Sequence, residues 1–320
     1  MSQGGLFSRL SAHGGQWNPD RPVSEDQVRK AVRLLEIAVR GLVQGVWCGE
    51  FRSAFKGRSL EYVELREYQP GDEVRFIDWP ATARLGRPLV RVFREHKELE
   101  ILLLVDVSPS MWAGPVGTAK RALVQEIATL LALTAARSRY RVSLALFAQG
   151  LEHFVGPCRG LRHVSRIVHD LVSFRSSSTG TDLGAALEAV ERRLSTRSVV
   201  FVLSDFTEVT EAKALRHLGF RHDVVGVLVA DPREGMLTDM GLMGLRDVES
   251  GRNVWIDTHD TQWREAFRKK DEEKRVRLKN LFLKSRADLI EVQVGADYMQ
   301  EFFALFRLRQ MPRRRRGIFR

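Results

Sequence analysis

The run LEILLLVD, residues 99–106, restricts the fold more than any other part of the chain. From Ile101 to Val105 it is apolar without alternation, and it ends in a carboxylate. A strand with one face in water alternates polar and apolar residues, so an unbroken run reads as a strand covered on both faces in a parallel sheet. Four more runs read as strands: RVSLALF, SVVFVLSD, DVVGVLVAD and ADLIEVQV. Helical stretches separate them, from about Val116 to Arg137, around 160–174, from near Asp182, at 209–218, from about 261 to 286, and from 297 onward. The segment LEHFVG reads as a hairpin return after RVSLALF, and two short strands are expected near 244–257. Strands that alternate with helices predict an α/β, doubly wound, mainly parallel sheet with right-handed crossovers.

The chain before this pattern is different. Residues 1–22 are rich in Gly, Ser and Pro and are expected to form a flexible N-terminus. Ser24 then suits the cap of a helix that carries Val28, Val32, Leu35, Val39 and Leu42. Residues 50–98 hold short alternating runs, LEYVELREY and PLVRVFRE, split by the turn signal Gln69-Pro70-Gly71-Asp72. The expected organisation is a flexible segment 1–22, a helix and small β-rich module at 23–98, the sheet domain at 99–310 and a basic tail at 311–320.

Composition narrows the class. The 320 residues carry a formal net charge of +11 and are 44% hydrophobic, which is globular rather than disordered. Cys48 and Cys158 match no metal or redox spacing, so both are expected to act as small apolar side chains in a reducing compartment. The longest apolar window, Ile127 to Ala136, is far too short to span a membrane, which takes roughly 18 residues or more. The first residues lack the charged start and apolar core of a secretion signal, and a cytoplasmic location is the expectation. Residues 301–320 hold seven arginines against one glutamate. Such a tail suits weak contact with acidic lipid or an acidic surface, or simply solubility. No zinc-finger spacing or aromatic-rich basic strand points to dedicated nucleic-acid binding.

In an open α/β sheet, ligands bind outside the carboxyl ends of the strands where the chain order reverses. Two strands end there in a carboxylate, at Asp106 and Asp205. After the first, Asp106-Val107-Ser108-Pro109-Ser110 repeats an oxygen donor at alternate positions, which an extended loop turns to one side. Between the strands, Ser178-Thr179-Gly180-Thr181-Asp182 supplies a hydroxyl-bearing loop at a helix start. Asp106, Ser108, Ser110, Thr181 and Asp205 are therefore the candidate metal ligands. All are hard oxygen donors, which suit Mg2+ or Mn2+ better than zinc. With few carboxylates, the ion stays only partly neutralised and is open to one more anionic ligand. The plainer alternative makes Asp106 a helix cap and the serines partners of backbone N–H groups.

These three loops resemble the metal-ion-dependent adhesion site of von Willebrand factor type A domains. The segment FKGRSLEYVELREYQPGDEVRFIDWPATARLGRPLVRVFREHKELE is similar to the signature of the bacterial family known as domain of unknown function 58, and LRDVESGRNVWIDT is similar to that family's closing hairpin. The resemblance implies a von Willebrand factor type A-like domain that works with a MoxR-type AAA+ ATPase in assembly or maturation of other proteins. Some relatives carry membrane-spanning segments, and no such segment is legible here.

Other motifs carry less. Gly114-Pro115-Val116-Gly117-Thr118-Ala119-Lys120 mimics a phosphate loop, but its spacing is wrong and Pro115 lacks an N–H. The histidines show no metalloprotease spacing, and no G-x-S-x-G elbow exists. Asp72 and Asp78, with Arg66, Arg75 and Arg84, are expected to pin the small module to its neighbour. A non-enzymatic, divalent-cation-dependent adaptor that captures a partner's carboxylate is the expected function. The alternative is a Mg2+-dependent phosphatase or other hydrolase using the same carboxylates. It is disfavoured because serines follow Asp106 and no lysine stands at a later strand end.

Overall fold

A computed structural model describes residue 33 and residues 46–55, 60–95, 99–112, 114–178, 180–207, 212–234, 241–246, 253–257 and 259–310. The expected flexible N-terminus, most of the helix after Ser24 and the basic tail lie outside them. In chain order the elements are α1 (Val46–Ala54), β1 (Leu60–Glu67), α2 (Trp79–Leu85) and β2 (Leu89–Glu95). Next come β3 (Glu100–Asp106), the short α3 (Pro109–Trp112), α4 (Gly114–Arg137), β4 (Arg141–Phe147), β5 (Leu151–Cys158) and α5 (Leu161–Ser173). The rest are α6 (Leu183–Glu191), β6 (Val199–Ser204), α7 (Ala212–Arg221), β7 (Asp223–Ala230), β8 (Leu242–Arg246), β9 (Asn253–Asp257), α8 (Thr261–Lys284), β10 (Asp288–Gln293) and α9 (Met299–Gln310).

Six strands form one sheet in the order β10-β7-β6-β3-β4-β5. All neighbours are parallel except β5, which returns antiparallel along β4 at one edge. The expected α/β, mainly parallel sheet is therefore present, with the LEHFVG segment as its antiparallel edge. Every residue of β3 is buried, as an unbroken apolar strand requires. Leu102 and Leu104 face one layer, with Leu187 of α6, Leu215 of α7 and Phe282 of α8. The short strands β8 and β9 pair antiparallel in a separate ladder, as read from the sequence.

The chain divides into two compact units, Lys56–Leu99 and the described residues on either side of it. In the smaller unit β1 and β2 pair antiparallel. Its carboxylates are used internally: Arg66 grips Asp72 through both amino groups, at 2.8 and 2.6 Å. Asp78 caps α2 through Ala81 N–H at 3.1 Å and accepts from Arg91 Nε at 2.7 Å. These pairs lie within the smaller unit.

The larger unit claims α1, which corrects the expected grouping of residues 23–98. Trp47, Phe51 and Phe55 recur every fourth residue, so one helix face is aromatic. That face meets Phe302 and Phe306 of α9 and Phe201 of β6, with ring centroids 5.1 Å apart for Trp47–Phe306 and 5.4 Å for Phe55–Phe201. Trp47 Nε1 also donates to the buried Thr134 hydroxyl of α4, at 2.7 Å. The cysteines depart from expectation as well: Cys48 is half-buried and Cys158 exposed, and both are free thiols.

Arg309 locks α9 to the amino end of the sheet. Its guanidinium takes both oxygens of Asp223 at 2.8 Å, donates through Nε to Asp288 at 2.8 Å, and lies 4.5 Å over the Phe55 ring. Replacing Arg309 by Met should strand two carboxylates and cost on the order of 3 kcal/mol in chemical denaturation, with Arg309→Lys recovering part of it. A loss under about 0.5 kcal/mol, the size of an ordinary surface change, would show that the clamp contributes little.

Candidate functional site

The sheet order reverses between β3 and β6: β3 leads on to β4 on one side, and β6 to β7 on the other. A crevice forms beyond the carboxyl ends of two strands that diverge in this way. Asp106 ends β3, and Ser204-Asp205 ends β6. Topology thus places the two sequence-predicted carboxylates side by side.

Asp106 is fully buried, and its carboxylate is fixed from two sides. Oδ1 accepts from Ser108 N–H at 2.9 Å, and Oδ2 accepts from the Ser204 hydroxyl at 2.6 Å. The Ser108 and Ser110 hydroxyls stand 3.1 Å apart. Four side chains from two strand ends are thereby linked, and three of them are predicted ligands. Thr181 is half-buried. Its neighbour Asp182 donates its N–H to Ala148 O at 2.8 Å, which ties this loop to the carboxyl end of β4. The Asp182 side chain caps α6 by accepting from Ala185 N–H.

Asp205 is held differently. Oδ1 accepts from the Thr207 N–H at 3.1 Å and the Thr207 hydroxyl at 2.7 Å. Oδ2 accepts from Lys120 Nζ at 2.9 Å, and the same ammonium lies 2.7 Å from Glu234 Oε1. The backbone then turns through Phe206 with φ of 48°, a left-handed conformation that non-glycine residues seldom adopt. Phe206 N–H donates back to the Ser204 hydroxyl at 2.9 Å, and its buried ring packs edge-on to Phe282.

The expectation concerned lysines at later strand ends, and Lys120 reaches Asp205 from elsewhere in the chain. It belongs to α4 rather than to a loop, since the glycine-bearing run 114–120 is helical. A signal was present in the sequence: Lys120, Leu123, Val124 and Ile127 share one helix face, and all four are buried. Glu234, just past β7, carried no comparable signal. A third strand-end carboxylate, Asp231 after β7, is buried but bound by Arg233.

The two acids are driven apart. Burial, and then the charge of Asp205, push the Asp106 carboxyl up to about 7. Burial also pushes Asp205 upward, but Lys120, with help from the Thr207 hydrogen bond and the charge of Lys274, holds that carboxyl below its ordinary value. Asp106 is therefore the group that needs a proton or a cation to be comfortable in this site. Among the described residues no three His, Cys, Asp or Glu side chains gather into a metal-holding group. A cation here would lean on Asp106 and the hydroxyls of Ser108 and Ser110. An all-oxygen set with a buried carboxylate fits Mg2+ or Mn2+, whereas Asp205 is already engaged by an ammonium.

The fold is a mixed α/β one, a mostly parallel six-stranded sheet flanked by helices, with the candidate site at its switch point. The chain belongs to the family described as protein of unknown function DUF58, whose model matches residues 64–277. A curated relative, the uncharacterized protein Rv1480 of Mycobacterium tuberculosis, is 33% identical over 233 residues, 72% of this chain and 73% of its own. The uncharacterized protein MAV169 of Mycobacterium avium is 28% identical over 42% of this chain and 78% of its own. Similar solved structures include BatB from Bacteroides thetaiotaomicron, with 15% identity and a TM-score of 0.40 over 65% of this chain and 95% of that one. The SpRpn10 VWA domain is 10% identical with a TM-score of 0.38, over 65% and 93%. No helix among the described residues is long and apolar enough to cross a membrane.

The raised Asp106 carboxyl has a consequence for stability without divalent cations. The folded group holds its proton up to about 7, whereas an unfolded Asp releases it near 4. Its contribution is therefore complete below about pH 4 and is lost as pH rises toward 7. In chelator, denaturation from pH 4 to 8 should show a wild-type decline of a few kcal/mol that Asp106→Asn removes. Equal slopes in the two proteins would mean that Asp106 titrates normally.

Proposed function

We propose that this chain is a non-enzymatic protein-interaction module whose carboxyl-edge site binds Mg2+ or Mn2+ and captures a carboxylate on a protein partner. One observation carries the reading: Asp106 is fully buried at the switch point, with both oxygens oriented and two paired hydroxyls two and four residues on. A bound divalent ion supplies an electrophilic position there for one further anionic ligand. Asp106 would hold the ion directly, Ser108, Ser110 and Thr181 would add neutral donors, and Asp205 would act mainly through its charge. Because most donors are neutral, the loaded site keeps positive character toward an acidic partner. The partner we favour is a MoxR-type AAA+ ATPase, as the sequence resemblance implies, with assembly or maturation of other proteins as the shared task.

Lys120 also gives the hydrolase alternative the lysine it lacked. Yet Nζ is already bridged between Asp205 and Glu234, rather than turned toward a phosphoryl group. That pairing favours binding over phosphoryl transfer.

Millimolar Mg2+ should raise the melting temperature of the wild type by a few degrees, since a ligand bound only by the folded state stabilises it by about 1–3 kcal/mol at tenfold to hundredfold excess over its dissociation constant. Asp106→Ala should remove that response. Capture of a MoxR-type AAA+ ATPase should need Mg2+ and fail with chelator or with Ser108→Ala plus Ser110→Ala, while circular dichroism stays native. Capture indifferent to all three would end the metal-bridge reading. Metal-dependent phosphoester turnover lost in Asp106→Asn would instead establish the hydrolase.

A further inference from the structure

A lysine is buried where a cation site was expected, and the carboxylates and hydroxyls of that site do not explain it. Lys120 occupies the apolar stripe of α4, so its four-carbon stem packs like an aliphatic side chain. The ammonium then reaches the ends of two strands, with Asp205 Oδ2 at 2.9 Å and Glu234 Oε1 at 2.7 Å. The lysine side chain is 2% exposed and that of Asp205 9%, whereas Glu234 is 43% exposed. Thr207 already takes the other Asp205 oxygen through two hydrogen bonds. A buried ammonium is costly unless it is paired. This one has a buried partner on the site side and a second partner open to water.

We infer that Lys120 is a built-in counter-cation that competes with the divalent ion for the charge of Asp205, with Glu234 as the second acceptor that retains the ammonium when the metal binds. The inference rests on the metal reading above and concerns how that site is tuned. Two carboxylates and one ammonium leave a single negative charge between Asp106, Asp205 and Lys120; without the ammonium the pair would carry two. The lysine therefore weakens metal binding, and it leaves the loaded site one charge more positive toward an anionic ligand. Metal affinity is given up for anion affinity, which suits a site that must hold a partner's carboxylate rather than store a metal.

The test is Mn2+ binding to the full chain, followed by the loss of the free Mn2+ signal in electron paramagnetic resonance. The wild type is compared with Lys120→Met, Glu234→Gln and Asp106→Ala. Removing a charge beside a buried carboxylate should tighten Mn2+ binding in Lys120→Met on the order of tenfold or more. Glu234→Gln leaves Lys120 wholly on Asp205 and deletes a nearby negative charge, so it should weaken Mn2+ binding a few-fold. Glu234 is exposed and tolerant, so this variant decides the matter if Lys120→Met fails to fold: Mn2+ affinity equal to or tighter than wild type overturns the inference. Binding that is lost in Asp106→Ala but unchanged or weaker in Lys120→Met overturns it too, while leaving the metal reading intact. No binding in either wild type or Lys120→Met, or binding that ignores Asp106→Ala, overturns both together. Binding seen only in Lys120→Met supports the inference, since the competitor then masks the site.

Discussion

Asp106 and Asp205 end neighbouring strands and are both withdrawn from water. Two carboxylates in that position repel each other and forfeit hydration, which costs several kcal/mol per ion unless positive charge or a proton accompanies them. The chain resolves the two halves of this problem differently. Asp205 receives an ammonium and a threonine, and it stays ionised. Asp106 receives neutral donors from Ser108 and Ser204, which orient it.

The opposite end of the sheet shows the same chemistry with the account closed. Asp223 and Asp288 begin β7 and β10, and Arg309 satisfies both while lying over Phe55. Two acids meet one delocalised cation, in a planar geometry that matches carboxylates. The aromatic cluster of α1 and α9 then covers β6 at Phe201. One edge is thus a clamp of two acids on one guanidinium, whereas the other buries two neighbouring carboxylates at a topological switch point.

Much of the fold was legible because parallel strands have no wet face. LEILLLVD, SVVFVLSD and DVVGVLVAD each became a fully covered strand, and their terminal acids fell at one edge without any tertiary information. Helix ends followed capping chemistry, as at Asp182 and Asp260. Two features were not legible, for physical reasons. The aromatic face of α1 shows that something is covered, but not whether the β module or the sheet covers it. Lys120 was read only as the end of a phosphate-loop mimic, and its register with Leu123, Val124 and Ile127 is what betrays its burial. Its partners lie 85 residues away at Asp205 and beyond at Glu234, a distance that no local pattern spans.

The backbone around Asp205 bears on how the site works. Phe206 holds a left-handed conformation that costs a non-glycine residue about 1–3 kcal/mol. Its N–H bond to the Ser204 hydroxyl and its ring against Phe282 hold it there. The same Ser204 hydroxyl donates to Asp106, so the turn that aims Asp205 also orients its neighbour. Ser204 is therefore the mechanical link between the two acids, and the strain at Phe206 is borne by packing remote from any ligand. A site fixed in this way loses little entropy when it takes up an ion. Glu234, exposed at the rim, is the one charged member free to rearrange by rotating its own side chain. Adjustment on binding thus falls to the Lys120–Glu234 pair, while the Asp106 loop and the Ser204–Phe206 turn stay as they are.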